Sequence, residues 1–302
     1  IGVGSGRFAV RSAPNCREFF GIDISQKTVN RAKEFLKKQT NVTLVCGDLH
    51  GNYKGFKQAL ERCNFDYDND ILISLGDVVD GHNQSFEVVE ELLKIRNLIP
   101  IRGNHDDWWL YWINRGVHPA RWMQGSKATG ESYVKNLIGE NLEFFDRSSG
   151  IPRPRLTTAH LPDSHINFFK NQISYHIDDQ NRLFVHGGFN RHFSLEDPIH
   201  NNEDVLMWDR DLWSQALSYG TISAVEGIEN PKFKMVGDFK EVFIGHTSTQ
   251  FWKENKPMNA ANIWNLDTGG GFKGKITIMN VETKEFWQSD NGDILYPEFK
   301  GR

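Results

Sequence analysis

Gly47-Asp48-Leu49-His50-Gly51, Gly76-Asp77-Val78-Val79-Asp80 and Gly103-Asn104-His105-Asp106 are three polar clusters inside one stretch, Val45 to Asp106. Each directly follows an apolar run: Val42 to Cys46, Ile71 to Leu75 and Leu98 to Ile101. Runs of that length, bounded by turn residues, read as buried strands. Between them, Tyr53 to Cys63 reads as a helix with Phe56, Ala59, Leu60 and Cys63 on one face. Phe86 to Ile95 reads as a second helix, with Ser85 as its N-cap. Its Glu87, Glu90 and Glu91 lie toward the N-terminal end and Lys94 and Arg96 near the C-terminal end, which suits the helix dipole. Strand, helix, strand, helix, strand predicts right-handed crossovers and a parallel sheet. The polar clusters then fall at the C-terminal edge of that sheet, where open α/β sheets bind their ligands.

The same pattern returns downstream. Strands are predicted at Ile173 to Ile177, Leu183 to Val185, Val242 to Ile244, Ala261 to Leu266 and Ile276 to Val281, with a helical region from Asn202 to Leu217. Gly269-Gly270-Gly271 marks a tight turn. Residues 107–164 are aromatic and helical, with Trp108, Trp109, Tyr111, Trp112, Trp122 and Tyr133. This segment is read as a helical insertion, either a cap over the site or ordinary helical packing.

The bulk numbers narrow the class. A chain of 302 residues with 38% hydrophobic and 25% charged residues builds a sizeable globular core. Nine Trp and 21 Phe supply aromatic core and pocket lining. A net charge of −4 and a pI near 6.3 give no general electrostatic grip on nucleic acid or an anionic membrane. Cys16, Cys46 and Cys63 are too few and too scattered for a disulfide framework or a zinc cluster, and free thiols in a reducing cytoplasm are expected. No apolar run is long enough for a transmembrane helix. The chain begins with Ile, and no apolar core of a signal peptide follows Gly2 to Arg7.

Residues 1–40 stand apart. Ile1-Gly2-Val3-Gly4-Ser5-Gly6 is followed by Phe19 to Ser25 and a helical stretch from Gln26 to Lys38. Glycines let a backbone approach a nucleotide-like ligand, and an acidic residue about 20 positions on can bind ribose hydroxyls. Gly2, Gly4, Gly6 and Asp23 stand in those places, and the segment resembles the opening of a Rossmann-like S-adenosylmethionine-dependent methyltransferase. The strand that should precede the glycines is absent and the rest of such a domain does not follow. The segment is therefore read as an appendage, either the remnant of a truncated or fused domain or a chance similarity in a lead-in segment, with no cofactor site expected.

Two further clusters, Val185-His186-Gly187-Gly188 and Gly245-His246-Thr247, extend the series to five, each after an apolar run. Asp and His one residue apart on extended backbone point the same way, as two ligands of one metal must. Five such clusters in this order are the motif set of the calcineurin-like metallophosphoesterase superfamily. The chain resembles its serine/threonine phosphoprotein phosphatase branch, especially the compact bacterial and phage members, over roughly residues 41–290. The resemblance implies an α/β (α+β) fold, a two-sheet sandwich flanked by helices. It also divides the chain into the appendage 1–40 and a catalytic domain 41–302 that carries the 107–164 insertion.

Carried over residue by residue, the resemblance implies that Asp48 and His50 bind a first metal, that Asp77 bridges, and that Asn104, His186 and His246 bind a second. Mixed oxygen and nitrogen ligands suit Mn²⁺, with Fe²⁺ or Zn²⁺ as alternatives, rather than Mg²⁺. Two such cations about 3.5–4 Å apart hold a bridging hydroxide, which attacks phosphorus in line with the departing oxygen. His105 matches the proton donor to the leaving group and Asp80 the carboxylate that orients it. From the residues alone, the alternatives are a third ligand or a structural histidine for His105 and a helix cap for Asp80.

The sequence departs from the eukaryotic-type pattern at Asp80-Gly81-His82, where that pattern continues with an arginine that grips the substrate phosphate. Arg210, within Met207-Trp208-Asp209-Arg210-Asp211, and Arg102 are the candidates for the clamp. The implied activity is metal-dependent phosphomonoester hydrolysis of the protein phosphatase type, on a phosphorylated protein or small phosphoester. Alternatives are a phosphoesterase acting on dinucleoside polyphosphates, cyclic nucleotides or RNA ends, a non-catalytic module, and a methyltransferase–phosphatase fusion.

Overall fold

The computed structural model describes residues 41–119, 121–122, 125–140, 142–148, 153–227 and 233–298. The readings made for residues 1–40, including Gly2, Gly4, Gly6, Asp23 and Cys16, lie outside these. The strands are β1 (Thr43–Cys46), β2 (Ile71–Ser74), β3 (Asn97–Pro100), β4 (Phe145–Asp146), β5 (Arg153–Pro154), β6 (Tyr175–Ile177), β7 (Arg182–Val185), β8 (Glu241–Ile244), β9 (Met258–Ala260), β10 (Ile263–Asn265), β11 (Thr277–Asn280) and β12 (Phe286–Gln288). The helices are α1 (Tyr53–Arg62), α2 (Ser85–Leu92), α3 (Asn104–Arg115), α4 (Ser126–Leu137), α5 (Asp163–Lys170), α6 (Glu203–Trp208), α7 (Asp211–Val225) and α8 (Gly292–Leu295).

Two five-stranded sheets carry the fold, in the orders β12-β11-β1-β2-β3 and β6-β7-β8-β10-β9. In the first, β1, β2 and β3 are parallel, with Val45 opposite Ile73 and Ile73 opposite Ile99, while β11 and β12 run antiparallel. In the second, β7, β8 and β10 are parallel between antiparallel β6 and β9. The parallel cores arise from runs that must bury both faces. Leu44 and Cys46 pack outward with α1, while Val45 between them faces the second sheet. Leu183, Val185, Val242 and Ile244 pack outward beneath α7, while Phe184 and Phe243 face the first sheet. Their rings stack with centroids 4.8 Å apart and planes 10° from parallel. The architecture is thus the predicted two-sheet sandwich flanked by helices.

Local details refine the sequence reading. Asn52 caps α1 by accepting from the Gly55 amide at 2.9 Å, and α1 buries Phe56, Ala59 and Leu60. Ser85 is not an N-cap. It is the first residue of α2, the cap is Gln84 without a side-chain bond, and the Ser85 hydroxyl lies 3.5 Å from that of Thr129. Glu91 does not serve the helix dipole either. α2 ends at Leu92, so Glu91 sits in the last turn, buried, where it accepts from Lys57 and Lys94 at 2.8 Å each and from the Tyr67 hydroxyl. Those partners offset the burial penalty and hold its carboxyl below the usual range.

The described aromatic residues of 107–164 join the core of the first sheet. Trp109, Trp112, Trp122, Tyr133 and Phe144 are buried in the same cluster as Leu44, Leu72 and Val88. Cys46 is buried, Cys63 is half-buried, and both are free thiols. Among the described residues, no helix is long and apolar enough to cross a membrane.

Phe243→Ala should lower the unfolding free energy by about 3–5 kcal/mol in urea denaturation, because it opens a cavity between the sheets. Phe243→Leu should cost clearly less. A loss under about 1 kcal/mol for the alanine variant would show that the sheets do not depend on this contact.

Candidate active site

The five clusters converge. Asp48 and His50 follow β1, Asp77 and Asp80 follow β2, Asn104 and His105 open α3 after β3, His186 follows β7 and His246 follows β8. All eight are buried. The loops are stitched to one another by the backbone. The amides of Leu49 and His50 donate to the Asp77 carbonyl at 3.1 and 2.7 Å, and Gly245 donates to the His186 carbonyl at 2.8 Å. Two further bonds cross between the sheets. The His246 amide donates to both Asp48 carboxylate oxygens at 3.1 Å. Nδ1 of His186 donates to the Leu75 carbonyl at 2.7 Å.

Side-chain donor atoms form two groups that share Asp77. In one, Asp48, His50 and Asp77 bring one atom each within 4.8 Å of one another; in the other, Asp77, His186 and His246 do so. His50 Nε2 lies 3.4 Å from Asp77 Oδ2 and 3.8 Å from Asp48 Oδ2. His186 Nε2 lies 3.5 Å from Asp77 Oδ1 and 3.1 Å from Asn104 Oδ1. Both rings give Nδ1–H to a backbone carbonyl, His50 to Val79 at 3.0 Å and His186 to Leu75. That arrangement fixes the tautomer and aims Nε2 inward, as metal-ligating histidines require. His246 Nε2 is buried with no hydrogen-bond partner among the described residues. A buried imidazole nitrogen so placed beside a carboxylate fits a divalent cation. The donor set therefore suits one ion in each group.

The electrostatics agree with that fit. Burial, then the neighbouring Asp267 and Asp77 carboxylates, push Asp48 well above the usual range. Burial opposes charge on Asp77 as well, but His186, His105 and His50 outweigh it and hold Asp77 low. Burial resists the His186 imidazolium, yet Asp77 and Asp48 raise it to about 9. Burial, then His186 and Arg210, depress His246. Cation binding at these groups would favour their deprotonated forms. His50, Asp77, Asp80 and His246 also adopt positive φ, at 46°, 48°, 68° and 64°. That conformation costs roughly 1–2 kcal/mol per non-glycine residue and is held by the surrounding loops.

Beside the donor groups, His105 Nδ1 lies 2.6 Å from Asp80 Oδ2. The insertion anchors Asp80. Trp122 Nε1 donates to Oδ2 at 2.7 Å, Thr129 Oγ1 donates to Oδ1 at 2.6 Å, and Thr129 accepts from the Asp80 amide at 2.9 Å. Asp106 accepts from the Gly103 and Val78 amides and from Gln172, tying α3 to the second loop. Burial, then Asp77, raises its carboxyl to about 6.

A cleft of about 740 Å³ opens over Asp77, Asn104, His105 and His246, with Trp108, Trp208, Arg121 and Arg210 among its walls. Arg210 is therefore at the site, with Nη1 donating to the His246 carbonyl at 3.1 Å and to Thr247 Oγ1 at 2.9 Å. Arg102 is not among the lining residues. Its guanidinium donates to the Gln172 carbonyl at 3.1 Å and lies 3.8 Å from Glu203. Its amide donates to the Ile173 carbonyl at 2.8 Å. Arg121, Trp122 and Thr129 are the residues that the sequence reading missed. Nothing in their spacing marks them, because they approach through the packing of the insertion.

Comparison with known proteins accords with this geometry. A family model described as calcineurin-like phosphoesterase matches residues 42–250. A methyltransferase-domain model matches residues 1–59, whose described part is β1 and the start of α1 of the first sheet. The bis(5'-nucleosyl)-tetraphosphatase, symmetrical, of Coxiella burnetii strain RSA 331 is 35% identical, covering 85% of this chain and 94% of its own. Serine/threonine-protein phosphatase 1 of Salmonella typhimurium strain LT2 is 22% identical, covering 79% and 91%. The solved structure of a cold-active protein tyrosine phosphatase superposes with a TM-score of 0.51 at 12% identity, covering 80% and 74%. The chain belongs to the calcineurin-like phosphoesterase family and is a metal-dependent phosphoester hydrolase.

Thr129→Val should lower unfolding stability by about 2–4 kcal/mol, because it strands the buried Asp80 amide and one carboxylate oxygen. Thr129→Ser keeps the hydroxyl and should lose much less. Equal losses in urea denaturation would show that the hydrogen bonds to Asp80 carry no weight.

Proposed function

We propose that the chain is a phosphomonoesterase carrying two divalent cations, one held by Asp48, His50 and Asp77 and the other by Asp77, Asn104, His186 and His246. Nitrogen and oxygen donors in these proportions suit Mn²⁺, with Fe²⁺ or Zn²⁺ as alternatives. When bound, the cations supply Lewis acidity toward the phosphoryl oxygens and lower the pKa of a bound water. Residues 41–302 act as one catalytic domain with 107–164 as its helical insertion.

The observation that carries the substrate reading is the His105–Asp80 pair at 2.6 Å, buried beside both donor groups. An alkoxide leaving from a phosphorylated serine or threonine needs a proton as the P–O bond breaks. Asp80 holds Nδ1 of His105 and fixes the ring, so His105 is placed to act as the general acid. Arg210, held by His246 and Thr247, lines the cleft and brings its positive charge to the phosphoryl oxygens. A phosphate leaving from an anhydride is already a stable anion and makes little demand on such an acid. The geometry therefore supports a protein phosphatase type of substrate. Dinucleoside polyphosphates are the second reading, favoured by the 35% identity to a symmetrical tetraphosphatase.

Two measurements test this. Specificity constants on a phosphoserine peptide, diadenosine tetraphosphate and a 2′,3′-cyclic nucleotide should favour the phosphopeptide. A tenfold preference for the dinucleotide would overturn the protein phosphatase reading. His105→Ala should lose about 10²–10⁴-fold in kcat on the phosphopeptide but far less on p-nitrophenyl phosphate, whose leaving group scarcely needs a proton. Equal losses on the two would remove the acid role.

For the metals, Asp77→Asn should lower bound Mn²⁺ in elemental analysis and cut activity by orders of magnitude. Wild-type activity in that variant, or full activity after EDTA treatment, would overturn the metal assignment.

A further inference from the structure

We propose that Arg121, from the helical insertion, is the phosphate-gripping residue that compensates for Gly81 and works opposite Arg210. The inference rests on the phosphomonoesterase reading and adds a substrate-binding residue to it.

The fold leaves no room for a side chain at position 81. Gly81 has φ +89°, and an added Cβ would lie 2.9 Å from the His50 carbonyl oxygen and 3.0 Å from the His50 side chain. A side chain there would press on one of the proposed metal ligands. A cation for the incoming phosphoryl group must therefore come from another element, and the insertion supplies one.

Arg121 and Arg210 are the two arginines in the lining of the cleft, which also holds Asp77, Asn104, His105 and His246. They differ in how committed they are. Arg210 spends Nη1 on the His246 carbonyl and Thr247. Arg121 is exposed and has no hydrogen-bond or ion-pair partner among the described residues. Its backbone is nonetheless held in place by the next residue. Trp122 is fully buried, donates to Asp80 at 2.7 Å and stacks on His118 with centroids 4.7 Å apart.

One carboxylate thus anchors both the acid, His105, and the segment that presents Arg121. The remaining acidic lining, Asp204 and Asp209, carries charge of the wrong sign for a phosphate. A guanidinium presents paired donors that match two phosphoryl oxygens, which suits a phosphomonoester dianion.

The test compares wild type, Arg121→Ala and Arg121→Lys, each loaded with Mn²⁺. It uses p-nitrophenyl phosphate as substrate and inorganic phosphate as a competitive probe. For Arg121→Ala, kcat/KM should fall roughly 10- to 100-fold and the phosphate inhibition constant should rise by a similar factor. The melting temperature and bound metal should stay at wild-type values. Arg121→Lys should be intermediate. Added guanidinium should restore part of the alanine variant's activity without stimulating wild type.

An alanine variant within twofold of an active wild type, in both turnover and phosphate inhibition, overturns the role of Arg121. If metal-loaded wild type hydrolyses no monoester, the phosphomonoesterase reading fails instead. Calorimetric titration of wild type and Arg121→Ala with inorganic phosphate then decides Arg121 separately. Weakened binding in the variant supports the grip, and equal binding, or none in wild type, overturns it.

Discussion

The site depends on two hydrogen bonds that cross between the sheets. The His246 amide, after β8, donates to both oxygens of Asp48, after β1. Nδ1 of His186, after β7, donates to the carbonyl of Leu75, after β2. Each sheet alone carries an incomplete donor set: the first has the carboxylates, Asn104 and His50, the second His186 and His246. The stacked Phe184 and Phe243 rings of the second sheet pack against Val45 and Ile73 of the first. The cross-sheet bonds then set the final positions. Core packing and chemistry are therefore one constraint, because sliding one sheet on the other would separate Asp77 from His186.

The proposed acid, His105, depends on a different part of the molecule. Asp80 receives His105, Trp122 and Thr129, two of the three from the insertion. A carboxylate with that many donors holds a preferred rotamer and leaves its histidine little freedom. The buried aromatic cluster of Trp109, Trp122 and Tyr133 backs this arrangement from the core side. Trp122 and Thr129 thereby hold the carboxylate of the proposed acid from behind, and Arg121 contributes to the wall of the cleft.

Much of this was legible in the sequence. The parallel cores of both sheets follow from apolar runs that bury both faces, and the five clusters follow from their place after those runs. The short strands β9 and β12 were not read, because three residues with mixed burial carry no periodic signal. Ser85 and Glu91 were misread because capping and dipole preferences are small against tertiary partners, here Thr129, Lys57 and Tyr67. Of the two candidate clamps, the Trp-centred surroundings of Arg210 favour it over Arg102, and Arg210 is the one that lines the cleft. Trp122 and Thr129 reach Asp80 across more than 40 positions of chain.

The glycines of the clusters explain why the motifs are so spare. An added Cβ on Gly103 would lie 2.2 Å from Asp77 Oδ1, and one on Gly245 would lie 2.1 Å from Asp48 Oδ1. Backbone, not side chain, walls the two carboxylates that the donor groups need most. This closeness lets the next backbone amides bond them: His105 donates to Asp77 Oδ1 at 2.9 Å, and His246 donates to Asp48. An amide stabilises a carboxylate without adding a titratable group or a flexible side chain to the site. Burial disfavours the charge of both carboxylates, and the His246 amide offsets part of that cost at Asp48. The Gly-Asp and Gly-His pairings are therefore the sequence trace of carboxylates held by backbone, and Gly81 follows the same logic beside His50.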